Sequence, residues 1–206
     1  MNIKEFEKKY LSYYLLLESD FIDTFDYVSV ESDNYKVYSN TYLKLLLAIG
    51  SEIDVIRKFI VNLYYPSFDE KKQNPNKLLM ECFSDIKELE IKFKTTDEVL
   101  RPRDYSKEPD WWTAYNEIKH NRLEAAEKFD ATKKYYQYAN LENVILSLAA
   151  LFSLELFTYR KVANDTHEEL FVPIIKSLYS INNSYWENIQ QGSGVVSVNG
   201  ILYFSD

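Results

Sequence analysis

The stretch from Trp111 to Arg122 concentrates the side chains best able to do chemistry: Asn116, Lys119, His120 and Arg122, set among Trp111, Trp112 and Tyr115. An imidazole accepts or gives a proton near neutral pH. An amide orients a substrate through hydrogen bonds, and clustered cations hold a phosphate or another anion. The other histidine, His167 in Asn164-Asp165-Thr166-His167-Glu168-Glu169, reads as a solvated residue at a helix start. No Cys/His cluster has the spacing of a zinc site, so no metal and no other cofactor is expected.

These residues need a helix to position them. Glu108-Pro109-Asp110 is a start signal for one running from about Glu108 to Glu127. At about 100° per residue, Trp111, Tyr115, Ile118, Ala125 and Ala126 share one face with Lys119 and Arg122 inside it. Asn116 and His120, four apart, lie together at its edge. A second helix, capped by Ser39 or Asn40 and ending at Pro66, places Glu52 among Leu45, Ala48, Ile49, Ile56, Phe59 and Leu63. A buried charge demands a partner, so Glu52 is expected to form an ion pair with Arg122 or Lys119. Asp54 falls on the other side, near Arg57 and Lys58, as a solvated pair. Two readings follow from the Glu52 pair. Either it fixes the docking of two helices while the tryptophans fill the core, or the cations, His120 and Asn116 open onto a cleft that holds an anion.

The remaining pattern is helical. Phe6, Tyr10, Tyr13, Tyr14 and Leu17 recur at three- and four-residue steps, predicting a helix from Ile3 to about Phe25. Tyr27 to Tyr38 reads as a short hairpin or an extended connection, and Ser67 to Asn76 as a polar loop. Leu78, Leu79, Cys82, Phe83, Ile86, Leu89 and Phe93 fit another amphipathic helix, followed by a connection from Lys94 to Ser106. Lys128 to Tyr138 reads as a loop or frayed turn. Asn140 caps a long apolar helix through Phe157, read as the buried centre of a bundle rather than a membrane span. Beyond Lys161, Pro173 limits a helix, Gly192-Ser193-Gly194 suggests a hinge, and Asn199-Gly200 between two apolar runs signals a β-hairpin. The expected division is residues 1–160 as a helical domain and 161–206 as an extension with a short helix and the hairpin.

Composition agrees. Among 206 residues only 4 are Gly and 5 Pro, whereas 46% are hydrophobic, which favours long helices over a sheet-rich fold. A formal charge of −8 argues against a broadly basic nucleic-acid-binding face and leaves a local positive pocket or a patch built by dimerisation. Cys82 is the only cysteine, which excludes an intrachain disulfide and suits a reducing compartment. Met1-Asn2-Ile3-Lys4-Glu5 lacks an apolar secretory core, so a cytoplasmic protein without a membrane partner is expected.

Tyr115-Asn116-Glu117-Ile118-Lys119-His120 resembles the signature of the HEPN superfamily, small all-helical domains of bacterial toxin, antiphage and RNA-processing systems. That signature is an arginine, a polar residue that is often asparagine, a few residues and then histidine on one late helix. Here Asn116 and His120 match and Tyr115 stands where the arginine would be. The resemblance covers roughly residues 40 to 160, including Ala139-Asn140-Leu141-Glu142-Asn143 and the Ala/Leu-rich helix after it. It implies an all-α, up-and-down HEPN-like bundle, here with a small C-terminal β-hairpin, and a homodimer paired through the motif helix. It also implies metal-independent RNA cleavage by attack of a ribose 2′-hydroxyl on the adjacent phosphate, with His120 as general acid or base and Asn116 orienting. A cation would stabilise the phosphorane charge, and Lys119 or Arg122 would have to supply it, with Tyr115 lining the site.

Three functions therefore compete. A degenerate HEPN-like module that binds RNA, a nucleotide or a protein partner in a defence or toxin–antitoxin setting ranks slightly above an active ribonuclease toxin. A structural helical adaptor using the C-terminal hairpin is the third.

Overall fold

A computed structural model of the chain describes residues 1–83, 86, 88–103, 108–166, 177–181, 195–198 and 201–204. The protein is mostly helical with a small sheet of a few strands. It opens with helix α1 (Ile3–Phe6), which continues through a π-helical turn (Glu7–Leu11) into α2 (Ser12–Ile22) and a 3-10 turn (Asp23–Asp26), matching the helix read from the sequence. The π turn holds the Tyr10 ring between Phe6 and Phe59, with centroids at 5.3 and 5.0 Å. The segment from Tyr27 to Tyr38, read as a hairpin or an extended connection, is instead a connection made largely of turns. It contains a 3-10 turn (Ser32–Asn34) and a single bridge, Tyr38 to Asn140.

Helix α3 (Asn40–Tyr64) starts where the Ser39 hydroxyl accepts from the Tyr42 N–H at 3.0 Å, and stops before Pro66. Helix α4 (Pro75–Cys82) is shorter than expected. Ile86, Leu89 and Phe93 keep their buried positions, but they come from a turn and from strand β1 (Ile91–Phe93) rather than from further helix. Antiparallel β1 pairs with β2 (Glu98–Leu100), Ile91 facing Leu100. The turn between them is closed by Asp97 at φ 59°, a left-handed conformation that a short aspartate tolerates better than most residues.

Helix α5 (Asp110–Asn121) carries the motif. It ends six residues before the expected Glu127, and the chain reverses into β3 (Ala125–Ala126) and β4 (Asp130–Lys134), then a 3-10 turn (Tyr135–Tyr138). The reversal has visible causes. Lys128 folds back to pair with Glu117 on α5, and the Phe129 ring stacks on Tyr138 at 4.2 Å. A helix continued to Glu127 would carry both residues away from those partners.

Helix α6 (Leu141–Thr166) extends past Phe157, across the expected boundary at residue 160. Over Leu141–Ala163 it is long and apolar enough to cross a membrane by length and composition, and 83% of that window is buried inside the protein. It packs against α1, α2, α3 and α5. The Asn140 side chain caps it, accepting from the Asn143 N–H at 3.0 Å. The backbone N–H groups of Leu141 and Glu142, which no helical carbonyl can reach, donate to Val37 and Tyr35 carbonyls at 3.0 and 3.1 Å. Strand β5 (Tyr179–Ile181) completes the order β2-β1-β5, with Phe93 facing Tyr179. Strands β6 (Val195–Val198) and β7 (Ile201–Phe204) pair antiparallel with Val198 facing Ile201, as the hairpin signal predicted; Asn199 and Gly200 themselves lie outside the described residues. The expectations at His167, Pro173 and Gly192 to Gly194 lie outside them too.

Two buried glutamates contrast. Glu18 on α2 has three donors on one oxygen: its Oε1 accepts from Tyr14 Oη at 2.6 Å, Ser177 Oγ at 2.7 Å and the Leu178 N–H at 3.0 Å. Glu155 on α6 is 1% exposed and neither carboxyl oxygen has a hydrogen-bond partner. Burial, and then the nearby Glu52 charge, push its pKa well above the ordinary carboxylate value of 4.5. Its protonated form is thus favoured in the folded state. A raised folded-state pKa stabilises fully below the unfolded carboxylate range and loses that contribution as pH rises toward the folded value. Stability is therefore expected to fall by about 1.4 kcal/mol per pH unit over that interval from this group. Urea denaturation between pH 5 and pH 8 checks this: Glu155→Gln is expected to flatten the slope and to be more stable than wild type at pH 8, and an unchanged slope would contradict it.

Candidate functional site

The N-terminal half of α5 is anchored in the core. Trp111 is 2% exposed and its Nε1 donates to the Pro102 carbonyl at 2.7 Å. Trp112 meets Tyr115 with ring centroids 5.2 Å apart, and the Arg57 guanidinium lies 5.1 Å from the Trp112 ring, a cation–π contact. Tyr115 is buried against α3 at Gly50. A Cβ placed on Gly50 would sit 2.2 Å from Tyr115 Cδ2, so the glycine is what lets the ring lie on the helix backbone.

The C-terminal end of α5 faces solvent. His120, Lys119 and Arg122 are exposed, Asn121 is half-buried, and with Leu47, Ile118, Leu123 and Glu124 they line an open cleft of about 510 Å³. The chain reversal after Asn121 builds this cleft, because it swings Arg122 to Glu124 beside the last turn of the helix. The partial negative charge at a helix C-terminus favours cations there, and Lys119 and His120 occupy that turn.

Of the residues marked in the sequence, the structure therefore brings Lys119, His120 and Arg122 to one cleft. Asn116 sits one turn earlier, half-buried, and is not among the cleft-lining residues. Lys119 and Arg122 are not inside the packed face, because α5 ends before Arg122 and its last turn is solvated. The expected ion pair between Glu52 and Arg122 or Lys119 does not form. Among the described residues Glu52 has neither an ion pair nor a hydrogen bond. Burial raises its pKa, and it lies near Tyr10 and Glu155, whose pKa values its charge helps to raise.

The cation buried beside α5 is instead Arg57, 7% exposed. It pairs with Asp54 and donates to the Asn76 side-chain oxygen. Asp54 Oδ2 also accepts from Tyr115 Oη at 3.2 Å, and Tyr115 Oη accepts from Lys119 Nζ at 3.2 Å. The three- and four-residue spacings of Asp54, Arg57 and Lys58 were visible in the sequence, but the pair is not solvated. Trp112, from another helix, covers Arg57, while Lys58 pairs with Glu70. Glu117, 8% exposed, accepts from Lys128 and Asn121, whose hydrogen bonds lower its pKa below the ordinary value. Among the described residues no group of His, Cys, Asp and Glu is arranged to hold a metal ion.

Comparison with family models, with characterised proteins and with solved structures gives no match. The site has to be read from its own chemistry. It offers an exposed imidazole and two exposed cations on an open concave surface, suited to hold an anion and to move a proton beside it.

Gly50→Ala is expected to destabilise the protein by roughly 1–3 kcal/mol, since either the Tyr115 ring or α3 must shift. A urea midpoint equal to wild type would mean that the ring does not rest on Gly50.

Proposed function

We propose that this is a cytoplasmic, HEPN-like helical protein with a degenerate motif, which binds RNA or a nucleotide through the cleft at Lys119, His120 and Arg122 in a bacterial defence or toxin–antitoxin setting. One observation carries the reading. In a chain of formal charge −8, Lys36, Arg57, Lys58, Lys128 and Lys161 each meet a carboxylate. Lys119 and Arg122, by contrast, line one cleft with His120, and neither has a carboxylate within ion-pair distance among the described residues. A phosphate there replaces water around two solvated cations without first displacing an acidic partner. Glu124, which shares the lining, sets a limit on how much negative charge the cleft accepts.

A second reading, an active metal-independent ribonuclease, draws on the exposure of His120 beside those cations. There His120 would take the proton of a ribose 2′-hydroxyl as its oxygen bonds to the adjacent phosphorus, and Lys119 and Arg122 would carry the phosphorane charge. The P–O5′ bond would break to leave a 2′,3′-cyclic phosphate and a 5′-hydroxyl protonated by water or by the imidazolium. Asn116, outside the lining, and Tyr115, in place of the motif arginine, rank this below binding. The resemblance also implies a homodimer through the motif helix.

Fluorescence anisotropy with a labelled single-stranded oligouridylate checks the first reading. Wild type is expected to bind more weakly as salt rises, and Arg122→Glu to lose about tenfold in affinity and to show a shallower salt dependence. Absence of binding at low salt would falsify it. Total RNA incubated with wild type and His120→Ala in EDTA separates the readings: cleavage lost in the variant promotes the ribonuclease. Light scattering is expected to give twice the chain mass.

A further inference from the structure

The cleft's two cations are held differently. Arg122 follows the end of α5 in the reversing turn, whereas Lys119 is tied back to the core through a phenol. Its Nζ donates to Tyr115 Oη at 3.2 Å and lies 5.3 Å from the ring centroid of the same tyrosine. Tyr115 Oη in turn donates to Asp54 Oδ2 at 3.2 Å, and Asp54 is fixed by its pair with buried Arg57. The tyrosine cannot drift, because its ring is confined by Gly50 on one side and Trp112 on the other.

We propose that Tyr115 is a positioning residue: through the chain Asp54–Tyr115–Lys119 it holds the Lys119 ammonium at the cleft as a preset receptor for a phosphate oxygen. This rests on the reading of the cleft as a phosphate-binding site. An ammonium has three donors, and the phenol takes one, leaving two for an anion. The phenol is neutral, so it orients the lysine without cancelling its charge as a carboxylate would. Asp54, the acid at the far end of this link, has its own charge answered by Arg57. The contact with Tyr115, chiefly its hydrogen bond, and to a smaller extent the Asp54 charge raise the Lys119 pKa above its ordinary value, in keeping with an ammonium held in place. A lysine already ordered in the free protein loses less rotamer freedom when the anion arrives.

Tyr115→Phe keeps the ring and its packing and deletes only the hydroxyl. With the labelled oligouridylate it is expected to weaken binding about three- to tenfold, the range that ordering one long side chain accounts for. Lys119→Ala is expected to weaken binding about tenfold and to make the salt dependence shallower, which Tyr115→Phe does not, because the charge remains. The double variant is expected to bind no more weakly than Lys119→Ala alone, since the tyrosine acts only through the lysine. Additive losses, or a silent Tyr115→Phe beside a damaging Lys119→Ala, would overturn the positioning role and leave the binding site standing; a wild-type protein that does not bind overturns both. In the folded wild type, NMR relaxation of the Lys119 Cε methylene is expected to show it more ordered than exposed Lys8, and equal mobility would also overturn the proposal.

Discussion

The burial of α6 is the constraint on which the rest of the structure depends. A helix apolar on nearly all sides has no stable surface to show water, so it must be wrapped, and the elements around it meet that demand from different directions. Helix α3 covers most of its length, α1 and α2 close one flank, α5 another, and β1 and β5 lie against what is left. The small residues Ala149, Ala150 and Ser153 are fully buried, and Ser153 Oγ satisfies itself on the Ala150 carbonyl at 2.6 Å. The wrapping fixes the cleft indirectly. Helix α5 presents Trp111, Trp112, Tyr115 and Ile118 to the core, and its last turn is left for solvent.

Polar groups inside this envelope follow one rule in two versions. Where several donors converge, as on Glu18, a carboxyl group ties distant parts of the chain together. Where none reach it, as on Glu155, burial raises the carboxyl pKa well above its ordinary value and so favours the uncharged form. Arg57 is an intermediate case. Its charge is kept, but it needs Asp54, Asn76 and the face of Trp112 around it. That supporting set, assembled from α3, α4 and α5, surrounds the buried tyrosine whose hydroxyl meets Lys119.

How much of this was legible in the sequence depended on range. Helices with strong local signals were read well: α3 from Ser39 to Pro66, α6 from its Asn140 cap, and the β6–β7 pairing from Asn199-Gly200. Local period misled where long-range partners decided. Ile86, Leu89 and Phe93 keep a helical spacing, yet Phe93 belongs to a strand because Tyr179, far along the chain, stacks on it at 5.3 Å. Helix α5 could not be ended from its own residues, since the forces that stop it are Lys128 on Glu117 and Phe129 on Tyr138. The site shows the same division. His120, Lys119 and Arg122 were marked by residue type alone, but the Glu52 partner was wrong, because a helical projection tells which way a residue points and not which neighbour's face it meets. The link from Asp54 through Tyr115 to Lys119 had a visible half, the four-residue step from Tyr115 to Lys119, and an invisible half that needed α3 beside α5.

The capture of β5 has a consequence in time as well as in space. Strands β1 and β2 are joined by a short turn and close quickly, whereas β5 must return to β1 after the whole of α5 and α6 has been laid down. Its docking therefore comes late in folding. Until then β1 has one unpaired edge, and the Glu18 carboxylate has lost the Ser177 and Leu178 donors that hold it in the finished protein. The fold thus closes like a latch: a catch on α2 is set early, and the last described strand of the β1 sheet, arriving from the other end of the chain, engages it.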